Sequence, residues 1–227
     1  MKLSIQLSVS CVYLMCLFLF ACNEIGHQKS DEGYIEYSAT PVDLSNPKAN
    51  FAPTKMIIKF KGEKAAAEMA AGMGLFTNAY ISNFQQKTMS QLVKIVNKKY
   101  LVTLDSVAVK KEIMEESSGM IVTKTKKTKT IAGYKCKHAR VSFKDDSKEG
   151  FDIFYTTDIK IPHANWSNPF QSIDGVLMEY QLSKYGLEMK FVATAVKKTP
   201  IEDATFEISK DYKPISQQEM ENIFNDF

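Results

Sequence analysis

Cys136 and His138 stand two positions apart in the run Ile131-Ala-Gly-Tyr-Lys-Cys-Lys-His-Ala-Arg-Val141. The alternation there predicts a strand, and side chains two apart on a strand point to the same side. A thiol beside an imidazole can act as a nucleophile with its base, or as half of a metal site. No second cysteine and no third ligand stands at a matching spacing. A lone cysteine packs well as a small apolar side chain, and that is the reading the residues favour. Tyr134 and Arg140 share the side of Cys136, whereas Ala139, Val141 and Phe143 point the other way. This change of apolar side predicts a bulge near His138.

The loop Ile161–Phe170 holds His163, Asn165 and the sole tryptophan, Trp166, between Pro162 and Pro169. Trp166 is either a ligand contact or a plug at one end of the fold, and the plug is the commoner use of such a residue. Lys124, Lys126, Lys127 and Lys129 form a basic run. It reads as an anionic-lipid patch or, more simply, as a solvated strand whose lysines block pairing at a sheet edge. Asp145, Asp146, Asp152 and Asp158 make no clear acid–base pair. The chain has no glycine-rich phosphate loop, no Gly-x-Ser-x-Gly and no His-Glu-x-x-His. No catalytic residue, metal site or cofactor is therefore expected.

The elements that position these residues are mostly strands. Met56, Ile58 and Phe60 alternate with lysines; Val176, Met178, Tyr180 and Leu182 alternate with Leu177, Glu179 and Gln181; Leu187, Met189 and Phe191 alternate with Glu188 and Lys190. Such a period of two marks strands with one buried face. Strands are expected near 33–39, 54–61, 64–71, 75–82, 88–95, 99–105, 119–130, 133–144, 150–157, 175–183 and 186–197. The alanine-rich 64–71 also has high helix propensity, so a helix is the competing expectation there. Turns are expected at Lys61-Gly62-Glu63, Ser82-Asn83, Asn97-Lys98 and Lys148-Glu149-Gly150. Helices are expected at 106–116, with Val109, Ile113 and Met114 as its apolar stripe, and at 216–225, where Ser216 caps with Glu219. The fold class is mainly β (α+β). A strongly curved antiparallel sheet, or half-open barrel, of about ten strands carries two short helices on its concave side. Met178, Tyr180, Met189 and Phe191 are the candidate lining residues of that concavity, together with Trp166.

The N-terminus reads as an address. Lys2 is the only charge before Glu24, and a dense apolar core runs from Val12 to Phe20. A basic start, an apolar stretch and a small residue before a cut site make a secretory signal. Its end, Leu19-Phe20-Ala21-Cys22, resembles the lipobox of bacterial lipoproteins. The resemblance implies cleavage before Cys22 and acylation of that residue. Residues 1–21 are then a signal peptide, 22–32 a lipidated tether, and 33–227 a single β-rich domain. The competing reading is an uncleaved anchor, which Gln6 and three serines in the first half disfavour. With Cys11 and Cys16 in the signal and Cys22 acylated, Cys136 has no partner for a disulfide.

Composition agrees. The chain has 227 residues, 44% of them hydrophobic and 24% charged, which is too apolar for a disordered chain. The net charge of +3 is too even for a nucleic-acid binder.

The stretches 131–141, Asp152-Ile-Phe-Tyr-Thr-Thr-Asp158 and Ser172-Ile-Asp-Gly-Val-Leu-Met-Glu-Tyr180 resemble the DUF4412 domain of Bacteroidetes-type envelope lipoproteins, and more distantly the GLPGLI family. The similarity covers roughly residues 33–197. It implies a half-open barrel of the LolA and LppX type and an envelope location, with the outer membrane favoured over the inner. It supplies no catalytic residues. The expected function is a membrane-anchored protein that binds or carries a lipid or other apolar ligand in its concavity. The alternative is a non-catalytic interaction or scaffold subunit at the outer membrane, meeting another envelope protein.

Overall fold

The computed structural model describes residues 31–145 and 148–225. The strands in chain order are β1 (Glu32–Pro41), β2 (Lys55–Lys61), β3 (Lys64–Ala71), β4 (Phe76–Asn83), β5 (Thr88–Ile95) and β6 (Lys98–Leu104). Helix α1 (Ser106–Glu116) follows, then β7 (Met120–Ile131), β8 (Tyr134–Phe143), β9 (Phe151–Thr156), β10 (Val176–Lys184) and β11 (Leu187–Lys198). A short β12 (Lys213–Pro214) and helix α2 (Gln217–Asn225) complete the described chain.

Among the described residues one open, curved sheet holds all twelve strands, in the order β12-β6-β5-β4-β3-β2-β1-β11-β10-β9-β8-β7. Neighbours pair antiparallel except at one edge, where Lys213 lies parallel beside Tyr100 of β6. The eleven expected strands fall on β1 to β11, and β12 is the one that alternation could not announce, because two residues show no period. The turn expected at Ser82-Asn83 sits further on, at 84–87, because β4 keeps pairing with β5 as far as Asn83 and Thr88.

Segment 64–71 is a strand. Ala66 pairs with Lys59 on one side and Ile81 on the other, so two ladders outweigh the helix propensity of alanine. The bulge expected near His138 is present, but on the partner strand. Lys124 faces Ala139 and Thr128 faces Lys137, which leaves Thr125 to Lys127 opposite the single His138.

α1 is capped by Asp105, whose Oδ1 accepts from the amides of Val107 and Ala108 at 3.0 and 2.9 Å. Val109 and Ile113 are buried as expected, but Met114 is not. Residues 109 and 113 lie one above the other at i,i+4, while 114 is rotated off that stripe and meets solvent. α2 starts with a reciprocal cap. The Ser216 amide and hydroxyl both donate to Glu219 Oε2 at 2.8 Å, and the Glu219 amide donates back to Ser216 Oγ at 3.2 Å.

Ser216→Ala removes that exchange. It should lower the unfolding free energy by about 1 kcal/mol, read as a lower urea midpoint at unchanged slope. Gln218→Ala, on the exposed side of the same turn, should leave the midpoint within error.

Candidate functional site

One face of the sheet is apolar across nearly its whole width. The registers line up Phe76, Met69, Met56, Tyr37, Ala193 and their neighbours on a single wall. The wall divides into two clusters. The larger gathers β1, β2 and β8 to β11 around Tyr37, Phe60, Ile153, Met178, Tyr180 and Phe191. The smaller gathers β5, β6, α1 and α2 around Met89, Val93, Val102, Val109, Ile113 and Met220. Between them no residue of β3 is buried, and the wall there is built of Ala65, Ala67 and Met69.

The four expected lining residues come together in the larger cluster. Tyr180 stacks on Phe191 at 5.2 Å between ring centroids and meets Tyr37 edge-on at 6.0 Å. Met178, Tyr180, Met189 and Phe191 are all buried. Burial pushes the Tyr180 phenol well above its usual range, and the Tyr37 phenol with it. Tyr37 donates to Leu177 O at 2.7 Å, which satisfies its hydroxyl across the cluster.

What covers these residues is a loop. Residues 157–175 leave β9 and cross to β10. Phe170 is fully buried and meets Phe151 and Tyr180 edge-on at 6.3 and 6.2 Å. Ile159 and Ile173 are buried in the same cluster. Trp166 does not join them; it packs at the margin of the smaller cluster. His163 stacks on Phe84 of the β4–β5 turn at 3.6 Å, with Lys87 Nζ 3.6 Å from the same ring. Asn165 holds the loop's shape, donating to Ile173 O and Gly175 O at 2.8 and 2.9 Å. Gly175 then enters β10 at φ +143, where a Cβ would fall 2.5 Å from Thr156 O. Sequence reading named His163, Asn165 and Trp166 in this loop, but gave Phe170 only as its end and not as the buried ring. The signal was the pair of prolines that bounds an ordered loop, and nothing local said which side chains turn inward.

The smaller cluster is closed differently. The β10–β11 turn reaches α1 and α2, where Tyr185 stacks on Phe224 at 4.0 Å and donates to Gln91 at 2.7 Å. Gln91 in turn donates to Asn78 and Tyr80 at 3.0 Å each. Lys184 bridges to Glu112 and Glu116 at 3.0 and 2.8 Å. Burial alone lowers the Lys184 ammonium, but Tyr80 and the two carboxylates outweigh it and hold it well above its usual range. An open groove of about 320 Å³ lies here, lined by polar groups of α1, α2 and the turn.

Cys136 and His138 take different partners. Cys136 is buried in the larger cluster and donates to Tyr134 O at 3.4 Å. Burial pushes its thiol up, away from the thiolate that nucleophilic or metal chemistry requires. His138 shares a 2.7 Å hydrogen bond with Thr125 through Nδ1. Its Nε2 lies 3.2 Å from Asp152 Oδ1, out of line for a hydrogen bond. Among the described residues no three His, Cys, Asp or Glu side chains are grouped to hold a metal ion. Cys22 lies outside the described residues.

The sequence profile of a family described as "Domain of unknown function (DUF4412)" matches residues 42–165, more than half of the chain. The chain belongs to this family. No curated protein matches the DUF4412 chain. Among solved structures it has a likeness to MucB, at 9% identity and a TM-score of 0.32, over 81% of this chain and 58% of that one. The DUF4412 chain thus spans less than two thirds of that protein's length.

On the opposite face of β10 the DUF4412 chain buries a carboxylate. Glu179 is 8% exposed, with Lys129 Nζ at 2.5 Å and Lys190 Nζ at 2.8 Å. Burial raises its pKa, but the two lysines together outweigh burial and leave it below the usual 4.5. A lowered folded pKa stabilises above the unfolded value, and the gain is lost as pH falls through the folded one. Unfolding free energy should therefore decline as pH drops below 4.5. Glu179→Gln should be destabilised at neutral pH and should flatten that acid limb, as read by urea titrations at a series of pH values.

Proposed function

We propose that this DUF4412 chain is a non-catalytic envelope lipoprotein, anchored through Cys22 at the outer membrane, that takes up an acyl chain or similar apolar ligand when loop 157–175 lifts. The observation behind it is the kind of cover the larger cluster has. From Ile161 to Gly175 the loop closes its hydrogen bonds on itself: Trp166 N to His163 O, Ile173 N to Phe170 O, Asn165 to Ile173 and Gly175, and Gln171 to Trp166 O. It meets the sheet through apolar and ring contacts, chiefly those of Phe170, Ile173 and His163. This part of the loop can swing as one body about Lys160, which stays bonded to Asp31, without breaking a strand ladder. Its departure bares Tyr180 and, around it, the apolar wall of Met178, Met189, Phe191 and Tyr37. That surface suits a flexible hydrocarbon, which is recognised by apolar area and shape.

The chain lacking residues 1–22 keeps every described element, so it serves for the test. Lipid extracted from the purified protein should contain an apolar species by mass spectrometry, and added lipid should raise the melting temperature. In Phe84→Cys/His163→Cys, two stacked side chains are replaced by a disulfide that staples the loop down. The oxidised variant should lose the lipid and the thermal shift, and reduction should restore both. Protein free of lipid, with no shift on adding it, overturns the carrier reading and favours a scaffold that meets another envelope protein.

The anchor is tested separately. The full chain should incorporate radiolabelled palmitate, and Cys22→Ala should not. Labelling that persists in Cys22→Ala would refute acylation at Cys22.

A further inference from the structure

Six of the large apolar side chains that the fold leaves in water lie at one end of the sheet. Val42, Leu44 and Phe51 belong to the β1–β2 connection, Met73 and Leu75 to the β3–β4 turn, and Val96 to the β5–β6 turn. Met73 is fully exposed, Leu44 is 80% exposed and Phe51 is 70% exposed. The registers put all three connections on the same rim: Ser38 faces Lys55, Ala71 faces Phe76, and Ile95 faces Lys98. Val96 N donates to Leu75 O at 2.7 Å, which joins two of the tips directly. From β6 to β1 the arc spans roughly 25 Å at the usual strand spacing. Two of these residues are also held out at a conformational cost. Met73 sits at φ 55 between Gly72 and Gly74, and the β-branched Val96 also sits at φ 55. Solvent gives no reason to display apolar tips in this way.

We infer that this rim is a membrane-contact surface that dips its apolar tips into the interface of a bilayer bearing anionic headgroups. The charges behind the tips fit that occupant. Lys48, Lys55, Lys94, Lys98 and Lys99 stand in the same three connections or beside them, against Asp43 and Glu188, whose carbonyl accepts from Val42 N. Lys48 is committed to Tyr185 O and Phe224 O, and Lys99 to Asp211. Lys94 and Lys98 flank Val96 and are the two placed to meet headgroups. Apolar side chains a few ångströms deep with lysines at headgroup level are the usual anatomy of interfacial binding. Chain length permits it on the membrane that holds the N-terminus. Asp31 lies at the other end of the sheet, about 25 Å from the rim, since β1 starts opposite Lys61. The eight residues 23–30 reach at most about 29 Å, enough for the domain to lie down and touch the same bilayer.

The test places a probe on the rim of the full chain. Met73→Cys is labelled with an environment-sensitive fluorophore and reconstituted in phosphatidylglycerol vesicles. The unsubstituted chain gives the labelling background, and Thr128→Cys on the exposed face of β7 gives the control site. The emission of the Met73 label should shift to shorter wavelength and be quenched by spin-labelled acyl chains. The shift should weaken in phosphatidylcholine vesicles and in Lys94→Gln/Lys98→Gln, while the Thr128 label stays in water throughout. A Met73 label that remains water-exposed in both kinds of vesicle overturns the inference. A shift that appears in detergent without vesicles and grows with protein concentration also overturns it, in favour of a second copy of this chain.

Discussion

The inward wall of the sheet carries apolar side chains from β6 round to β7, and a sheet cannot leave such a face wet. Hydrophobic burial contributes roughly 25 cal/mol per Å², so the segments that cover the wall decide the stability of everything else. Among the described residues three segments cover the wall: α1, α2 and the loop 157–175. The helices cover β5 and β6. The loop covers β8 to β11 and β1. The far end of the loop reaches the β4–β5 turn at Phe84, yet no residue of β3 is fully buried, and Ala67 and Met69 only pack against the larger cluster. The division of the interior into two clusters is thus a consequence of how far each cover extends.

The two covers differ in physical kind. The helical side is locked by polar groups with few alternatives. Tyr185, Gln91, Asn78 and Tyr80 satisfy one another, and Lys184 is shared between Glu112 and Glu116. A buried polar network tolerates little rearrangement, because each lost bond strands a desolvated group. The loop side is held by rings and aliphatic contacts, which weaken gradually and reform with any apolar partner of similar width.

Much of this was legible before any coordinates. Alternation in Met56-Ile-Ile-Lys-Phe60 and in Val176 to Leu182 reports burial on one face directly, since the side-chain period of a strand is fixed by its pleat. Ser216 and Glu219 announced the α2 cap by their spacing alone. Met178, Tyr180, Met189 and Phe191 come together because their strands are joined by a tight turn. What sequence could not show was non-local. That Phe170 turns under the loop depends on Asn165 finding two carbonyls, and that Ala66 is in a strand depends on β2 and β4 flanking it. The joining of Met73, Leu75 and Val96 along one rim rests on pairing between strands, which no single segment encodes.

The way α2 completes the smaller cluster sets a limit on the order of folding. Met220 is fully buried there, and Lys48 Nζ donates to Phe224 O across 176 positions of chain. Contacts of such separation close a very large loop, and proteins that depend on them fold slowly. Until the last helix arrives, α1 alone covers the β5–β6 part of the wall. The smaller cluster therefore reaches its final packing only after synthesis has run through α2.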